Sequence, residues 1–154
     1  MAISDAKIRE AFSGDFCLIG VGNDISGDDG FGPKLARSLK PMYDERSIDG
    51  GLAPENWTGP IKRISPQRLI IADAVAFDAK PGELAIFDPD DLAEGLPATH
   101  GPSFGPLLSY LSESIPDLEV LILAARPEKT GLMEPMSKSV KTAVDNIIKI
   151  LGGE

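Results

Sequence analysis

Residues 15–32 read DFCLIGVGNDISGDDGFG, an apolar run that breaks into glycine and acid. Apolar residues on consecutive positions, as in FCLIGV, suit a strand covered on both faces. A helix is expected after the turn, from about Gly30 to Leu39, ending before Pro41. Strand, tight turn and helix in that order open an α/β fold.

The turn resembles a dinucleotide fingerprint but departs from it. After Gly20 and Gly22 the third glycine of GxGxxG would fall on Ile25. Asp28 and Asp29 stand where a helix N-terminus would hold a pyrophosphate, and their charge opposes one. No Gly-Lys-Ser/Thr closes a P-loop, and no HExxH is present.

The chain has 154 residues, a length that suits one domain, 1–154, with a sizeable core. Its 24 acidic against 15 basic residues give a formal net charge of -9. That balance disfavours nucleic acid and anionic membrane surfaces as partners. The single cysteine, Cys17, excludes an internal disulfide and a cysteine-rich zinc site. It sits in the apolar run and reads as a small hydrophobe. Residues 1–13 read as a short amphipathic helical extension. No secretory signal or membrane-spanning run follows, and a cytoplasmic location is expected.

Further along, strands are expected at 44–49, 68–73 (RLIIAD), 82–88 (GELAIFD) and 118–125 (LEVLILAA). A short helix is expected over 54–64, because Pro54 suits a first turn, and a helical turn in DPDDLAEG. Another helix is expected at 104–114, stopped by Pro116. In the last helix, Ser137 serves as the cap and Val140, Val144, Ile147, Ile148 and Leu151 form one stripe. GELAIFD follows RLIIAD too closely for a helical crossover, so it is expected to be antiparallel or reached by a hairpin-like link. The sum is an α/β protein with a five-stranded, mostly parallel sheet and helices on both faces.

In such sheets ligands bind beyond the carboxyl ends of the parallel strands. Asp49 ends the second strand and Asp73 the third, and the acidic turn follows the first. Carboxylates gathered at one rim repel unless something positive sits among them. His100, the only histidine, lies in the Pro- and Gly-rich PATHGPSF and is the natural nitrogen donor. One imidazole with two carboxylates suits a borderline divalent metal such as nickel, zinc, iron or cobalt. Asp24 and Asp28 read as turn or capping residues.

GVGNDISGDDGFG, IDGGLAPEN, LIIADAV, PGELAIFDPDDLAE and ATH together resemble the [NiFe]-hydrogenase maturation endopeptidases. The likeness is closest to the branch serving the hydrogenase of formate hydrogenlyase and its archaeal relatives, and it runs from about Phe16 to Leu151. It implies a three-layer α/β/α sandwich with a twisted sheet. It also implies an endopeptidase that trims the C-terminal extension of a nickel-loaded large-subunit precursor. On this resemblance Asp29, Asp73 and His100 contact the metal, which is nickel supplied by the substrate, and no organic cofactor is implied. Asp29 or Asp49 would activate the water if the metal serves only as a recognition marker. A non-catalytic nickel-binding or chaperone module and a small-molecule hydrolase are the competing readings.

Overall fold

The computed structural model describes residues 3–93 and 104–152. Five strands form one sheet: β1 (Phe16–Val21), β2 (Ser47–Gly51), β3 (Arg68–Ala74), β4 (Leu84–Phe87) and β5 (Glu119–Ala125). Their spatial order is β2-β1-β3-β5-β4. All neighbours are parallel except β4 and β5, which run antiparallel.

Strand alternation divides the core into two layers. Phe16 and Leu18 of β1, with Ile70 and Ala72 of β3, pack on one side against α1 (Asp5–Ala11), α2 (Phe31–Tyr43) and α6 (Lys138–Ile150). Cys17, Ile19 and Val21, with Leu69 and Ile71, pack on the other side against α3 (Thr58–Ile64) and α5 (Phe104–Ser114). A short helix α4 (Pro89–Ala93) follows β4. The result is the expected α/β/α arrangement.

The N-terminal helix is part of the core rather than a cover on the surface. Ile8, Ala11 and Phe12 are buried with Val144 and Ile147 of α6. The Ser4 side chain caps it by accepting the Lys7 N–H at 3.2 Å. The Arg68 guanidinium donates to the carbonyls of Ala11 and Ser13, fastening the end of α1 to the start of β3.

Three elements differ from expectation. Helix α2 continues through Pro41 to Tyr43. Proline near a helix end forfeits one hydrogen bond, and Tyr43 is held there by ring contacts with Phe12 and Phe16. Asp44, at φ 51, ends the helix. Residues Asp44–Arg46 form a 3-10 turn, so β2 starts at Ser47. The Ser47 hydroxyl donates to the Ala36 carbonyl at 2.7 Å, fixing that start against α2. Strand β4 is antiparallel as expected, but its neighbour is β5 and not β3. The 75–83 link therefore carries the chain past the position that β5 later fills.

Glycine lets α2 begin directly on the sheet. A Cβ on Gly20 would overlap the Gly32 carbonyl, and one on Gly32 would overlap the Ala72 carbonyl. This close approach sets the acidic turn over the ends of β1 and β3.

Candidate functional site

The acidic turn is a 3-10 helix, Gly27–Gly30, directly ahead of α2. It packs against β3, the strand that carries Asp73 next to its end. Its two adjacent aspartates do different work.

Asp28 is fully buried and faces the segment between β5 and α6. It accepts the N–H groups of Glu128 and Lys129 at 2.8 and 2.9 Å. It also accepts the Ser137 N–H at 2.7 Å and the Ser137 hydroxyl at 2.8 Å. Two further backbone bonds run the same way, from Asp28 N–H to Lys129 O and from Gly27 N–H to Glu134 O. Asp28 is a clamp, consistent with its reading as a turn or capping residue.

Asp29 is 5% exposed, and its Oδ2 accepts the Asn23 N–H at 2.9 Å. The Asn23 side chain in turn accepts the Ile25 N–H at 3.1 Å. The loop between β1 and the turn thus hydrogen-bonds to itself around the Asp29 carboxylate.

Asp73 is fully buried at the end of β3. Leu69 and Ile71 face α3 and α5, so alternation turns Asp73 to that side as well. Helix α5 begins at Phe104 and ends next to the start of β5, so it enters from the rim where Asp73 lies. His100 lies outside the described residues. Among the described residues no three His, Cys, Asp or Glu side chains gather closely enough to hold a metal ion. No described helix is long and apolar enough to cross a membrane.

Asp49 points to the opposite side of the sheet. Ile48 belongs to the α3 and α5 layer, and Asp49 turns towards α2. There the Arg37 guanidinium bridges two strand-end acids, with 3.0 Å to Asp49 and 2.9 Å to Asp24. Sequence reasoning asked what positive group sits among the rim carboxylates and missed Arg37. For Asp24 and Asp49 the answer is internal. A lone Arg on a helix otherwise lined by Phe31, Leu35, Ala36 and Leu39 was the available signal.

Cys17 is fully buried, and burial pushes its thiol up to about 12. It belongs to the core layer against α3 and α5.

Comparison with known proteins follows the same lines. The profile of the family described as hydrogenase maturation protease (HycI) matches residues 33–154. The hydrogenase 3 maturation protease of Escherichia coli (strain K12) is 40% identical over 139 residues, covering 88% of each chain. The crystal structure of the [NiFe] hydrogenase maturation protease HycI from Thermococcus kodakarensis KOD1 superposes with a TM-score of 0.78 at 30% identity. It covers 94% of this chain and 98% of that one. The HybD maturation protease from Thermococcus kodakarensis gives 0.73 at 25% identity, over 89% and 96% of the two chains.

Proposed function

Because the chain belongs to the hydrogenase maturation protease family, we propose that it cuts the C-terminal extension from a nickel-loaded [NiFe]-hydrogenase large-subunit precursor. Nickel enters as part of that substrate. Asp29, Asp73 and His100 are the residues proposed to meet it. The observation that carries this reading is the packing of the Asp29 turn on β3, which carries the fully buried Asp73 next to its end. Two carboxylates on touching elements, held away from water, suit a divalent cation and oppose an anionic ligand.

Peptide hydrolysis needs a water molecule to attack the scissile carbonyl and a base to take its proton. Asp29 and Asp49 are the two proposed bases. Asp49 is the more exposed but is ion-paired to Arg37 on the α2 side of the sheet, whereas Asp29 is buried and accepts a backbone N–H. The proton taken by the carboxylate passes to the leaving amine as the C–N bond breaks. A cation beside the carbonyl oxygen favours the negative charge that develops there, a contribution of several kcal/mol.

The test is the mass of purified precursor before and after incubation with the enzyme. The wild type shortens it by one C-terminal fragment. His100→Ala and Asp29→Asn leave it intact while circular dichroism keeps the native signal. Normal trimming by either variant overturns the ligand assignment. An unchanged precursor mass with the wild type favours a chaperone role.

A further inference from the structure

Of the seven large hydrophobic side chains exposed among the described residues, five lie beyond the carboxyl ends of parallel strands. Ile25 follows β1, Leu52 and Trp57 follow β2, and Leu132 and Met133 follow β5. The most exposed are Met133 at 76% and Leu132 at 69%. Met133 also holds a left-handed backbone, φ 66, which a residue with a Cβ adopts only at an energetic cost. Neither exposed side chain adds to the core, and the backbone cost at Met133 points to a use.

Their position is fixed by the site. The Met133 N–H donates to the Ile25 carbonyl at 2.6 Å. Glu134 on one side and Lys129 on the other are bound to the Gly27–Asp28 backbone, and Asp28 clamps residues 128, 129 and 137. The 127–136 segment is therefore one hydrogen-bonded unit with the turn that carries Asp29. A substrate brought to Asp29 is brought to Leu132 and Met133.

We propose that Leu132, Met133 and Ile25 are substrate-recognition residues that seat an uncharged, apolar stretch of the large-subunit precursor next to the segment being cut. This rests on the peptidase reading above. The side chains spread along a rim instead of lining an enclosed pocket, which suits a polypeptide surface better than a small molecule. Lys129 and Glu134 border the tip, leaving Gly131, Leu132 and Met133 as an uncharged centre within a polar edge.

The experiment uses the full chain and the purified nickel-loaded precursor. Leu132→Gln with Met133→Gln raises KM on the order of tenfold, equal to about 1.4 kcal/mol of binding, with kcat within about twofold of wild type. Met42→Gln removes an exposed side chain near the far end of α2, on the opposite rim, and leaves KM unchanged. Leu132→Ala serves as a milder variant should the double substitution lower the melting temperature. Binding is measured separately by titrating immobilised precursor. A wild type that binds without cutting counts against the peptidase reading, and the change in Kd still decides the recognition residues. Equal KM and Kd for wild type and double variant overturn the proposal. So does a change in the enzyme's own oligomeric state on gel filtration with unaltered precursor binding, which would assign the tip to self-association.

Discussion

The Asp28 carboxylate accepts both the backbone N–H and the hydroxyl of Ser137, a residue 109 positions further along the chain. Ser137 is also the N-cap of α6 and accepts the Val140 N–H. One buried acid thus joins the turn before α2 to the start of α6.

Asp28→Ala leaves buried donors from Ser137 without partners. It is expected to destabilise the protein by about 3 kcal/mol. In urea the midpoint falls at unchanged slope. Because the same acid holds the Asp29 turn, trimming is lost as well. A midpoint equal to wild type would show that the clamp is dispensable.

Gly32→Ala forces a methyl group into the Ala72 carbonyl and the Val21 backbone. Neither can move without shifting a central strand, so the loss is about 1–3 kcal/mol, typical of overpacking. Thermal melting measures it. Gly105→Ala, in α5, brings its methyl within 4 Å of no described heavy atom beyond its own helix and chain neighbours, so its melting temperature is expected to hold or rise.

Cys17 is expected to resist thiol reagents until the chain unfolds. Its folded pKa of about 12 lies above the ordinary value of 9.0, so the native state keeps the proton that the unfolded state gives up. The resulting stability is fully present below pH 9 and declines as pH rises from 9 towards 12. Cys17→Ala removes that part of the alkaline decline, read from melting temperatures across the range. Rapid labelling of the native protein at pH 8 would contradict the burial argument.

Arg37→Ala breaks both ion pairs of a half-exposed guanidinium. Such pairs contribute about 0–1 kcal/mol each, so melting changes little. Asp49→Asn, by contrast, is expected to slow trimming by about 10²–10⁴-fold if Asp49 is the base. A rate within twofold of wild type would pass that role to Asp29.

Nickel or cadmium titration by calorimetry is expected to show about one weak site, lost in Asp73→Ala. Three protein donors leave coordination positions open for the substrate's own ligands. Several equal sites would indicate general binding to an acidic surface.

Much of the fold was legible because it is written locally. Consecutive apolar residues marked β1 and β3, and Pro116 marked the end of α5. Ser137 capped α6 as its sequence implied. Strand order was not legible in the same way. GELAIFD declares its antiparallel direction through a short link, but which strand accepts it depends on where a later crossover lands. The site divides similarly. Asp29 and Asp73 could be placed at one rim from strand ends alone. The partners of Asp28 lie 100 and more residues away, and no periodicity connects them. Arg37 reads locally as one charge on an amphipathic helix, and only the return of β2 beside α2 brings Asp49 to it.

Strand β4 and the Asp28 turn share a dependence on order of synthesis. β4 has no neighbour until β5 emerges, and the turn cannot close until Ser137 has left the ribosome. A nascent chain holding only the first hundred residues has its acids, but Asp28 lacks the partners that hold the turn closed. Proteolytic competence therefore arrives with the last helix, and truncated translation products carry the signature motif without a working cleft.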